Sequence, residues 1–124
     1  MLKEEKLTGE IIGAAIEVHR ILGPGLLESV YEECLAYELK LRGLSCERQV
    51  PLPVRYKEVF LDCGYRMDLV VEGRVVVEIK AVQNVIGIHE AQLLTHLQVS
   101  GKEVGLLINF NTVVLKDGIT RRVI

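Results

Sequence analysis

Between Leu7 and Leu22, apolar side chains return every three or four positions, at Ile11, Ile12, Ala15, Val18 and Leu22, with Thr8 on the same line. That period predicts a helix with one buried stripe. The run LGPG, Leu22 to Gly25, interrupts it. A second helix is expected over about Leu27 to Arg42, with Leu27, Val30, Tyr31, Cys34, Leu35 and Leu39 turned inward. Gly43 supplies its stop, and Glu32 and Glu33 are expected in solvent.

From Ser45 the period shortens toward two. CERQVPLPVRY reads as a first strand whose prolines, Pro51 and Pro53, suggest an edge or a bend. EVFLDCG is a short strand or its return. YRMDLVVE and RVVVEIKAV form a hairpin across Glu72-Gly73-Arg74. IHEAQLLTHLQVSG predicts a third helix closed by Gly101, and EVGLLINF is apolar without alternation, hence a strand buried on both faces. TVVLKDGITRRVI closes the chain as a small hairpin or tail strand. A hairpin, a crossover helix and a further strand imply a mixed sheet covered by helices, α/β or α+β in character.

The hairpin raises the chemical question, because its apolar strands carry Asp68, Glu78 and Lys80. Charge in a buried strand is costly unless it is paired or bound to metal. Residues two apart share a face, so Glu78 and Lys80 lie with Val76, and Arg66, Asp68 and Val70 lie together. A two-residue turn at Glu72-Gly73 would set Asp68 opposite Val77. A three-residue loop, Glu72 to Arg74, would set Val71 opposite Val75 and Asp68 opposite Glu78. The second register also gathers Met67, Leu69, Val71, Val75, Val77 and Ile79 on one apolar face, and is therefore the expected one. Gly73 can supply the positive φ it needs. Two adjacent carboxylates repel, and a hard divalent cation is a natural compensator. A salt-bridged surface hairpin, with Lys80 and Arg66 neutralising the acids, accounts for the same residues.

Length and composition narrow the class. The 124 residues, 49% hydrophobic and 26% charged, suit one domain spanning residues 1–124. A net charge of -2 is not that of a generally basic nucleic-acid binder. Cys34, Cys46 and Cys63 are odd in number and form no CxxC, so buried, reduced thiols are expected rather than a disulfide framework or zinc ribbon. MLKEEKLTGE has no apolar signal core, and no window reaches the length of a membrane span. A soluble, cytoplasmic protein is expected.

Other polar residues carry weaker signals. Glu28 opens the second helix, where a carboxylate suits the helix N-terminus, and it borders the buried side near Tyr31. His89, Gln92 and His96 share one face of the third helix, with Ala91, Leu93, Leu94 and Leu97 supplying apolar contacts. HEAQL is not HExxH. His19 reads as a core or interface histidine. No phosphate-binding glycine loop or serine elbow occurs, and an aromatic content of 5% argues against a base-stacking platform.

Several stretches together resemble a known family. GLLESVY, Gly25 to Tyr31, is similar to the GxxExxY signature of a group of small bacterial and archaeal proteins. RMDLVVEGRVVVEIKAV, EAQLLTHL and GLLINF resemble the same group, so the likeness runs from about Leu7 to Phe110. The group is usually placed in the PD-(D/E)XK nuclease superfamily. The resemblance implies a restriction-endonuclease-like αβββαβ core with a central mixed sheet flanked by helices. Asp68 with Glu78-Ile79-Lys80 matches the D…ExK motif, Glu28 the acidic residue of the early helix, and Gln92 the glutamine of a QxxxY motif. His96 stands at the tyrosine position of that motif.

In function, the resemblance implies metal-dependent hydrolysis of a phosphodiester in DNA or RNA. Asp68, Glu78 and the main-chain carbonyl of Ile79 would hold Mg²⁺ or Mn²⁺, with Glu28 reaching the ion through water or binding a second one. Lys80 would position or deprotonate the attacking water, and Gln92 would orient the substrate or Lys80. Arg66 would pair with phosphate or with Glu28. Nucleic acid is the implied partner, with specificity supplied by a homodimer or a protein partner. The competing class is a non-catalytic dimeric adaptor or nucleic-acid-binding module that keeps the fold, with Val104 to Phe110 and the C-terminal segment as the dimer surface.

Overall fold

The computed structural model describes residues 2–124. Helix α1 runs Glu5–Leu22 and α2 runs Glu28–Leu41. Strands β1 (Cys46–Pro51), β2 (Val54–Tyr56), β3 (Val59–Leu61), β4 (Arg66–Val71) and β5 (Val75–Lys80) come next. Helix α3 (Gly87–Ser100) then crosses to β6 (Val104–Asn109), and a 3-10 turn (Leu115–Gly118) leads to β7 (Ile119–Val123). The main sheet has the order β1-β4-β5-β6-β7. Among the described residues only β5 and β6 pair in parallel, as a strand–helix–strand crossover requires.

The sheet separates two apolar layers. On one side α1 and α2 cover Leu69, Val71, Val75, Val77, Ile79, Leu106 and Ile108. On the other, Leu93 and Leu97 of α3 pack on Val70, Val76 and Leu107. Gly105 lies beneath α3, where a Cβ would stand 2.7 Å from the Leu93 side chain. That missing side chain lets the helix approach β6 closely.

The hairpin adopts the three-residue loop. Val71 pairs with Val75, Val70 with Val76 and Leu69 with Val77. Glu72 and Gly73 both take positive φ, 53° and 64°. The same offset sets Asp68 against Glu78, but the regular ladder stops one pair earlier.

Several expectations change. The proline-containing segment is two strands in two sheets: β1 joins the main sheet, whereas β2 and β3 form a separate antiparallel ribbon. Met67 packs with Leu52 in the α3-side layer rather than with Leu69. It lies next to a break in the β1–β4 ladder, which skips the Gln49–Asp68 pair where Gln49 takes a φ of 50°. Helix α2 begins at Glu28, so Leu27 precedes it and is 74% exposed, and Val30 is exposed too. Glu32 is buried instead, because β1 presents Arg48 and Gln49 to its carboxylate. Ala91 is exposed on α3, and the Cys63 thiol is exposed. Strand β6 is buried between β5 and β7 and offers no surface for a dimer. The tail strand, β7, closes the sheet edge beside it. Among the described residues, no helix is long and apolar enough to cross a membrane.

Candidate active site

The C-terminal end of β5 opens into a cleft of about 560 Å³ between the sheet, α3 and the β2–β3 ribbon. Glu28, Arg66, Asp68, Glu78, Lys80 and Gln92 all line it. Separate elements of the chain therefore bring the sequence-predicted residues together, and His89 and His96 join them from α3. His19 lies elsewhere, with its Nε2 2.7 Å from the Thr112 carbonyl oxygen.

Asp68 is the most perturbed acid of the cleft. Burial first, and the neighbouring Glu78 charge second, raise its carboxyl to about 6. The Ile79 amide donates to Asp68 Oδ2 at 2.8 Å, which opposes that rise but does not cancel it. The carboxylate thus takes the place of the next backbone acceptor where the β4–β5 ladder ends. An extended residue turns its amide and its carbonyl to the same side, so the Ile79 carbonyl is directed toward the β4 edge of the strand. Among the described residues, neither Asp68 nor Lys80 takes part in an ion pair. The salt-bridged hairpin does not form. Arg66 reaches Asp62 at 3.7 Å instead of Glu28 or the central acids.

Glu78 is only 7% exposed, and its Oε1 lies 2.7 Å from His96 Nδ1. Gln92, one turn earlier, is on the cleft wall. Glu28 approaches from the opposite side, where its Oε2 accepts from the Ala81 amide at 3.2 Å. Its helix is anchored by Tyr31, whose hydroxyl donates to the Gly23 carbonyl at 2.6 Å and accepts from the Leu26 amide at 3.1 Å. The Tyr31 ring stacks on Phe110 with centroids 4.5 Å apart. Gly25, at φ 97°, allows the loop that Tyr31 ties down. Gly25 thus turns the chain, Glu28 reaches the end of β5, and Tyr31 locks the approach.

Three residues take roles in the site beyond those expected from the sequence. His96 is expected on the polar face of the third helix and at the tyrosine position of a motif, but its bond to Glu78 comes from α3 packing. Gln49 donates to Glu32 at 2.6 Å and toward Asp68 at 3.4 Å, linking α2 to the site through β1. Here a signal existed, since Glu32 is one turn after Glu28 and shares its face. Asn109 is buried, exchanges hydrogen bonds with both main-chain groups of Val82, and holds the segment after Lys80.

Comparison with protein families gives a match over residues 5–123 to the model described as the PD-(D/E)XK nuclease superfamily. The chain belongs to this superfamily. Its five-stranded mixed sheet flanked by helices is the corresponding restriction-endonuclease-like arrangement. Comparisons with curated proteins and with solved structures gave no match. Nucleases of the superfamily generally use divalent metal ions. Among the described residues no group of three or more His, Cys, Asp or Glu side chains is placed to hold an ion. The donors at hand are two carboxylates and a carbonyl, a hard oxygen set that suits an ion keeping several waters, as Mg²⁺ does. Among the described residues no cysteine lines the cleft, and burial pushes the Cys46 thiol up to about 11.

Proposed function

We propose that this chain is a metal-dependent nuclease of the GxxExxY group, hydrolysing phosphodiester bonds of nucleic acid. The observation that carries the reading is the pairing of Asp68 and Glu78 in one cleft, with Lys80 beside them and in no ion pair among the described residues. Two repelling carboxylates with a raised acid are poorly stabilised by the protein alone, and a divalent cation is the compensation their chemistry asks for.

In this reading Asp68, Glu78 and the Ile79 carbonyl would hold Mg²⁺ or Mn²⁺, and Glu28 would contribute through water. The bound ion supplies Lewis acidity toward a phosphate oxygen and toward water. Lys80 positions the attacking water and sets its charge against the phosphate as charge builds there. His96 fixes the Glu78 carboxylate through Nδ1. Gln92 orients the substrate from the α3 wall. The Ala81–Glu28 bond keeps the end of β5 and the start of α2 in register, so that Lys80 and Glu28 open to the same space.

The test is cleavage of a panel of labelled DNA and RNA with Mg²⁺ or Mn²⁺ by the wild-type chain and by Lys80→Ala, purified identically. Metal-dependent cutting that disappears in Lys80→Ala is the expected result. No cutting by either protein across the panel would overturn the hydrolytic reading.

A further inference from the structure

The β2–β3 ribbon stands outside the main sheet and forms one rim of the cleft. Among the described residues four aromatic rings are exposed, and three of them, Tyr56, Phe60 and Tyr65, lie on or beside this ribbon. Low aromatic content argues against a stacking surface, but the fold gathers these rings on or beside the ribbon that rims the cleft.

The ribbon has two distinct faces. Arg55 pairs with Phe60, and Tyr56 pairs with Val59. Alternation puts Tyr56 on the same face as Val54, and Val54 lines the cleft. Tyr65, at the base of the ribbon, lines it as well. Phe60 is on the opposite face, under the Arg55 guanidinium at 5.5 Å. The cleft-side rings also have cations close by: Lys57 Nζ is 5.4 Å from the Tyr56 ring centre, and Arg66 adjoins Tyr65 in the chain. The tip is held in shape by the Arg55 Nε bond to the Lys57 carbonyl oxygen at 2.8 Å.

We propose that the cleft-side face of this ribbon, with Tyr56 and Tyr65, is a platform on which unpaired bases of a single nucleic-acid strand stack as the strand enters the cleft. Exposed rings flanked by cations are what successive bases and phosphates of a single strand require. A base inside a duplex is already stacked on both sides and offers no free face to such a ring. The segment from Val54 to Arg66 carries three cations against two acids, a local excess in a chain of net charge -2, so the ribbon is the more favourable rim for a polyanion. Continuity with the cleft gives the strand its direction, and to that extent the inference rests on the hydrolytic reading of Asp68, Glu78 and Lys80.

The experiment is a binding titration in EDTA, so that no cutting intervenes, with labelled oligothymidylate, oligouridylate and a blunt DNA duplex of equal length. Wild type, Tyr56→Ser/Tyr65→Ser and Phe60→Ser are compared. All three sites are exposed, and circular dichroism melts confirm that each variant is folded. The expected result is a preference of the wild type for a single strand, roughly tenfold weaker binding for each stacked base lost in the double variant, and binding within about twofold of wild type for Phe60→Ser. Because the chain has no Trp, tyrosine emission reports directly, and quenching by the oligonucleotide should fall in the double variant. Unchanged binding in the double variant overturns the proposal, and so does a wild-type preference for duplex. It is also overturned if self-association in sedimentation, rather than oligonucleotide binding, is what the ribbon variants abolish. A second copy of the chain would then cover the ribbon. The cleavage panel separates the two failures: binding lost in the double variant with no cutting by wild type keeps the platform and removes the hydrolysis, and cutting with unaltered binding does the reverse.

Discussion

His96 Nδ1 stands 2.7 Å from Glu78 Oε1, joining the middle of α3 to the floor of the cleft. Neither residue has an exposed side chain, at 15% for His96 and 9% for Glu78, so water is a poor substitute for either partner. The bond makes the position of Glu78 a property of how α3 packs on the sheet.

Replacing His96 by Ala should therefore cost about 1–3 kcal/mol of stability, the range for a buried acceptor that loses its partner. His96→Gln, which keeps a donor, should recover part of it. Urea unfolding in EDTA gives both values, and a His96→Ala protein as stable as wild type would show that the pair contributes nothing to the fold.

The raised Asp68 carboxyl has a consequence for pH. Its folded value, about 6, lies above the ordinary 3.8, so between these values the folded chain binds more proton than the unfolded one. Stability of the metal-free protein should then fall as pH rises from about 4 to about 6 and stay low above it. Solvent reaches this site, so the loss is on the order of 1–2 kcal/mol. Asp68→Asn removes the titration and keeps the acceptor for the Ile79 amide. It should match wild type near pH 4 and exceed it at pH 7. A variant less stable than wild type at pH 7 would mean that Asp68 is held by a favourable charge partner instead.

Lys80 enters no ion pair among the described residues, so Lys80→Ala should leave the stability close to that of wild type, within about 0.5 kcal/mol. The same substitution should abolish cleavage. Denaturant unfolding beside the cleavage assay checks both, and a loss of several kcal/mol would instead assign Lys80 a structural role in compensating the two acids.

Gly105 connects packing to the site. A Cβ there would press on the Leu93 and Leu97 side chains at 2.7 and 3.2 Å. Gly105→Ala should cost about 1–3 kcal/mol through overpacking and push α3 outward. Because His96 is on that helix, amide and imidazole shifts at His96 and Glu78 should move in the NMR spectrum although the substitution is on the next strand. Unshifted resonances would indicate that Leu93 alone absorbs the extra methyl group.

The periodicities determined a good deal about this protein. The three helices, the buried central strand and the three-residue hairpin loop all come from apolar spacing and from Gly73, because helix period, strand alternation and turn conformation are local properties. The pairing of Asp68 with Glu78 comes from the same source, since a one-residue slip would have turned one of the apolar rows to the wrong face. Tertiary structure decided the rest. The burial of Glu32 on α2 depends on Arg48 and Gln49 arriving from β1. The bond from His96 to Glu78 depends on the close approach of α3 at Gly105. The detached ribbon depends on β2 leaving the main sheet after Pro51. Each of these joins residues far apart in the chain, and no spacing along the sequence encodes which side chain a distant element will present.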